Sequence, residues 1–132
     1  MKSICEISSF GNKYWYLNTV LHREDGPAFE YANGSKKWYL NDKLHREDGP
    51  AIEYVDGHKE WYLNGKCHRE DGPAFEGSNG TKAWYINGKC HREDGPAYEG
   101  ATGNKRWFYQ DKQIDCKDNK EFLRMIKLMV FL

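Results

Sequence analysis

The chain is predicted to be mainly β: stacked β-hairpin repeats of 23 residues form an elongated, twisted antiparallel sheet, with a helix capping the C-terminal end. Three observations predict it. The heptapeptide HREDGPA recurs at residues 22–28, 45–51, 68–74 and 91–97 with no drift in its interval, and a fixed period of this size marks supersecondary units stacked on one another. All five tryptophans, Trp15, Trp38, Trp61, Trp84 and Trp107, keep the same register, four residues after Gly11, Gly34, Gly57, Gly80 and Gly103. A mean hydropathy of −0.95 coexists with 15% aromatic residues, which suits a thin sheet with one aromatic face and one wet face.

At the N-terminus the spacing implies a degenerate unit in which Ile4 to Ile7 supplies the first strand. Each full unit then carries two turn signals. Asn33-Gly34, Asp56-Gly57, Asn79-Gly80 and Thr102-Gly103 form one series; Asn41-Asp42, Asn64-Gly65, Asn87-Gly88 and Gln110-Asp111 form the other. Asn-Gly and Asp-Gly accept positive φ at both centres of a type I′ turn, so the first series is assigned to two-residue hairpin tips. That register pairs Phe29 with Trp38, Ile52 with Trp61, Phe75 with Trp84 and Tyr98 with Trp107, on a core face shared with Tyr31, Lys36 and Leu40. Ala28, Glu30, Lys37 and Tyr39 fall on the opposite face. Proline donates no ladder hydrogen bond, which places Pro27, Pro50, Pro73 and Pro96 at strand starts and makes HRED a bulged connection along one edge. After Cys116 the pattern breaks. Asp118 and Glu121 have the spacing of a capping box before an apolar stripe of Phe122, Leu123, Met125, Ile126, Met129 and Val130. Residues 1–117 are thus read as the repeat domain, and 118–132 as a helix packed on its last rungs. The closing Leu-Met-Val-Phe-Leu is alternatively a homo-oligomer contact through Phe122, Ile126 and Met129.

With Trp61-Tyr62-Leu63-Asn64-Gly65-Lys66-Cys67-His68 spelling a run from Trp through Asn-Gly-Lys to His, the chain resembles the MORN repeats across residues 10–112. The resemblance implies stacked hairpins in a single-layer sheet and a scaffolding, dimerising or headgroup-binding role. Arg-Glu-Asp-Gly-Pro stands where MORN repeats carry Gly-x-Gly after the His. The HREDGPA variant is similar to repeats in proteins of bacteriophages and large DNA viruses.

Composition narrows function further. Twenty basic and twenty acidic residues cancel, which argues against a partner that is a long nucleic acid. The N-terminal MKSICEISSF shows no apolar leader run and no segment approaches a membrane span, so the expected setting is the cytoplasm, of a host cell if the protein is viral, with Cys5, Cys67, Cys90 and Cys116 as free thiols. A motif repeated in equivalent surroundings points away from catalysis, which needs one convergent constellation. Equivalent residues on successive hairpins stand two strand spacings apart, about 9.6 Å, too far for histidines to share a zinc or for Cys67 and Cys90 to bridge. Neither cofactor nor metal is expected. His is expected to bond the backbone of a neighbouring loop, and Arg to pair with Glu or Asp on an adjacent rung.

Copies also differ. The columns Tyr31, Tyr54, Gly77, Gly100 and Leu21, Leu44, Cys67, Cys90 shrink toward the C-terminus, which predicts a groove there unless the helix fills it. The candidate binding residues are His68, Arg69, Lys82, Trp84, His91, Arg92, Lys105 and Trp107. Their expected ligand is a host protein or a small nucleotide, as for a non-enzymatic factor that sequesters a host defence component. The rival reading is a structural adaptor that scaffolds or homodimerises.

Overall fold

The computed structural model describes residues 2–130. Each repeat contributes two antiparallel ribbons. In the repeat that begins at Ile52, strand Ile52–Glu53 pairs with Lys59–Glu60. Beyond Trp61, Tyr62–Leu63 turns back through Asn64-Gly65 to pair with Lys66–Cys67. First ribbons join edge to edge: Lys36–Lys37 pairs with Ile52–Glu53, Lys59–Glu60 with Phe75–Glu76, and Lys82–Ala83 with Tyr98–Glu99. The product is one antiparallel sheet of 12 strands beginning at Ile4–Ile7, flanked by three two-stranded ribbons. The degenerate first unit is present, with Ile4–Ile7 paired to Lys13–Leu17.

The turns exchange the roles expected of them. At the first tip the Tyr31 N–H donates to the Ser35 carbonyl at 2.9 Å and the Gly34 N–H to the Tyr31 carbonyl at 3.0 Å, closing a three-residue loop. Only Gly34 there has positive φ, at 97°, as in a type I turn completed by a glycine bulge. The two-residue tips are the second series, where Asn64 (φ 50°) and Gly65 (φ 79°) are both left-handed, as a type I′ turn requires.

One extra loop residue shifts the register by one, and a shift of one turns each side chain to the other face. The aromatic pairs expected with tryptophan therefore do not form: Phe29 opposes Lys37, Ile52 opposes Glu60, Phe75 opposes Ala83 and Tyr98 opposes Arg106. Tryptophan faces alanine instead. The Trp38 N–H donates to the Ala51 carbonyl at 2.8 Å and that of Trp61 to Ala74 at 2.8 Å. Ala28, Ala51, Ala74 and Ala97, expected on the wet face, are all 0% exposed. They separate half-buried indoles along one side of the sheet. The opposite side carries a second aromatic series, with Phe29 and Tyr31 ring centroids 4.2 Å apart and His58 against Phe75 at 4.7 Å. Tyr39, expected on the wet face with Ala28, is half-buried, as are its equivalents Tyr62 and Tyr85.

The helix runs Asn119–Val130, and positions 131 and 132 of its expected span lie outside the described residues. Asp118 caps it, its Oδ1 accepting the Glu121 N–H at 2.8 Å. Phe122 (0% exposed) and Ile126 (7%) pack with Ile114 against Trp107 and Tyr109, so the helix closes the last rung. Burying Phe122 contributes about 1.5–3 kcal/mol. Two of the three residues proposed for oligomerisation, Phe122 and Ile126, are consumed by this intramolecular core; Met129 remains on the surface with Leu123, Leu128 and Val130. No helix among the described residues is long and apolar enough to cross a membrane.

Candidate functional site

The HRED segment is held at both ends by backbone bonds. The His68 N–H donates to the Trp61 carbonyl at 3.0 Å, and the Arg69 N–H reaches the Tyr85 carbonyl of the following unit at 3.1 Å. The His68 imidazole adds a third tie: its Nδ1 accepts the Asn87 N–H at 2.9 Å. An acceptor nitrogen carries no proton, which fixes the tautomer with hydrogen on Nε2. The same bond recurs from Asn41 to His22, Asn64 to His45 and Gln110 to His91, each at 2.9 Å. The histidines therefore satisfy the next unit's left-handed turn.

The arginine is equally occupied. Arg69 Nε donates to Asp71 at 3.0 Å, and its Nη1 donates to the Pro73 carbonyl at 3.0 Å and to Glu76 at 3.3 Å. Its guanidinium lies over the Trp61 ring, and a Cβ on Gly72 would stand 2.9 Å from its Cζ. Glycine follows the aspartate because the guanidinium fills that space. Arg23, Arg46 and Arg92 repeat the stack on Trp15, Trp38 and Trp84 at 4.0, 3.8 and 3.9 Å. The Arg23 hydrogen bond and charge hold the Asp25 carboxyl below its ordinary range, with a smaller contribution from Lys2.

With arginine and histidine turned inward, the carboxylates point out. The side chains of Glu70 and Asp71 are 83% and 87% exposed, those of Glu93 and Asp94 62% and 86%. Between successive loops lie three equivalent clefts of about 710, 640 and 770 Å³, floored by Trp38, Trp61 and Trp84 in turn. The cleft at Trp84 is bounded by Arg69, Glu70 and Asp71 on one side, and by His91, Arg92, Glu93 and Asp94 on the other. At the first loop, which has none before it, the chain's own Lys2 and Ser3 flank the equivalent cleft beside Trp15 and Asp25.

Of the residues singled out from sequence, the structure brings Arg69, Trp84, His91 and Arg92 into one cleft. His68 lines the neighbouring one. Lys82 lies opposite Glu76 and Glu99, and Lys105 opposite Glu99, outside the cleft lining. Trp107 packs beside the helix core, and its Nε1 is buried without a hydrogen-bond partner. The shrinking columns open no groove at Trp84, because Tyr31 and Tyr54 stand on the opposite side of the sheet, against Phe29 and His58. The alanine there, Ala83, is 5% exposed between its cross-strand partners Phe75 and Tyr98. Sequence reasoning missed the outward carboxylates and the apolar cleft residues Leu63 and Ile86. The signal that could have found the carboxylates is the recurrence of Glu-Asp in every HREDGPA copy.

Burial pushes the Cys67 thiol up to about 12 and the Cys90 thiol to about 11. The four cysteines are free, and the Cys67 Sγ lies 3.7 Å from the Ala74 carbonyl. Among the described residues no three His, Cys, Asp or Glu side chains gather as a metal-binding group. No family model matches the chain, and no curated protein matches it.

Proposed function

We propose that the protein is a non-enzymatic binding module of MORN-like type that captures a partner protein along its loop edge. The observation that carries this reading is the set of three equivalent clefts between successive HRED loops. A protein partner is favoured over a nucleotide because Arg69 already serves Asp71, Glu76 and the Pro73 carbonyl. What faces solvent is carboxylate, which repels phosphate. A role in blocking a host defence component in the cytoplasm rests on the likeness of HREDGPA to viral and phage repeats.

The test is affinity capture from host lysate with the natural chain and with a variant carrying Glu70→Gln and Glu93→Gln, which leaves the Arg69–Asp71 and Arg92–Asp94 pairs intact. The expected result is one protein retained by the natural chain and lost by the variant at unchanged melting temperature. Equal retention by both removes the clefts from the binding surface. A second reading, an adaptor that pairs with another copy of itself, is favoured by the exposed Leu123, Leu128, Met129 and Val130. A monomer in sedimentation at micromolar concentration eliminates it.

A further inference from the structure

The clefts repeat at the interval of a hairpin, two strand spacings or about 9.6 Å. An extended polypeptide advances about 3.1 Å per residue as polyproline II, so three residues cover about 9.3 Å. Side chains at every third position of such a chain would meet successive clefts in step. Each cleft pairs an indole, stacked on one face by its own arginine, with four carboxylates and two arginines from two loops: Glu47, Asp48, Glu70 and Asp71 with Arg46 and Arg69 around Trp61, and Glu70, Asp71, Glu93 and Asp94 with Arg69 and Arg92 around Trp84. The arginines pair with the aspartates, which leaves the glutamates as the excess negative charge. A long cationic side chain matches both features, since its stem packs on apolar surface while its head reaches the acids.

From this geometry we infer that the partner presents an extended, cationic segment with lysine or arginine at every third residue, laid along the loop edge with one basic side chain in each cleft. The inference rests on the binding-module reading above and specifies its ligand. At the first loop, which has none before it, Lys2 and Ser3 stand where a preceding HRED loop walls the other clefts, with the Ser3 Oγ donating to the His22 carbonyl, so this end offers carboxylates from one loop alone.

The experiment is calorimetric titration of the full chain, in about 150 mM salt, with two synthetic peptides of equal charge: four repeats of Lys-Pro-Pro and four repeats of Lys-Pro-Pro-Pro. Linked sites reinforce one another only when their spacing is met, so the period-three peptide is expected to bind at least about ten-fold more tightly. The Glu47→Gln, Glu70→Gln variant, which keeps the Arg46–Asp48 and Arg69–Asp71 pairs, should lose that preference while melting like the natural chain. Equal affinity for the two peptides, or binding of neither, overturns the inference. If neither binds while the lysate capture above still yields a cleft-dependent partner, the binding-module reading stands and the period-three ligand falls.

Discussion

The guanidinium carbon of Arg69 sits 3.9 Å from the centroid of the Trp61 ring, beneath a loop whose Glu70 and Asp71 point to solvent. This stack joins scaffold to surface: the arginine spends its donors on Asp71, Pro73 and Glu76 and so fixes where the acids project. The constraint on the HRED loop is a planar cation clamped between an indole and a glycine.

Arg69→Lys should therefore destabilise the protein, although charge is conserved. A lysine ammonium can neither stack as a plane nor hold Asp71 and the Pro73 carbonyl together. The expected loss is about 1–3 kcal/mol in urea denaturation. A loss no greater than that of the surface control Lys82→Ala would refute the clamp. Binding effects seen on replacing Arg69 or Arg92 must accordingly be read against their melting curves.

Ala74→Leu tests the alanine spine. Ala74 is 0% exposed and accepts the Trp61 N–H at 2.8 Å, so a larger side chain has no room beside the indole. Overpacking of this kind costs about 1–3 kcal/mol, and the melting temperature should fall accordingly. An unchanged melting temperature would show that the alanines face open space.

Thiol titration gives a pH dependence of known sign. Burial raises Cys67 from its ordinary 9.0 to about 12 and Cys90 to about 11, so the folded state holds these protons more tightly than the unfolded one. Their contribution is complete below pH 9 and is lost as pH rises toward 11 and beyond. Stability should fall over that window, and replacing both cysteines with alanine should flatten the fall. At pH 8 a thiol reagent should modify exposed Cys5 first and reach Cys90 only on unfolding; rapid labelling of Cys90 in the folded chain would contradict its burial.

The period, the proline-led strands, the N-terminal half-unit and the capped helix could all be read from residues, because each depends on local spacing and turn chemistry. Register could not be read from Asn33-Gly34 alone, since that dipeptide serves both two-residue tips and three-residue loops closed by a glycine bulge. The repeat held a better guide. Alanine, glutamate and tryptophan keep their identity in every copy at positions 28, 30 and 38, whereas position 29 and its equivalents vary among Phe, Ile and Tyr. Only an odd-length loop puts the three invariant side chains on one face. The clefts were half legible. Arg69, Trp84, His91 and Arg92 share one cleft, whereas Lys82, Lys105 and Trp107 lie outside it, because the column of Tyr31 and Tyr54 stands on the side of the sheet opposite the indoles.

The bond from each histidine to the turn one unit ahead has a further consequence. Every such link reaches forward by a single period, and the buried face of the closing helix packs on Trp107, Tyr109 and Ile114 of the final rung. A 23-residue cassette spliced between two copies would slot into this daisy chain and add one more berth, leaving both extremities as they were. The number of clefts is thus set by the number of copies, and duplication alone can lengthen the row.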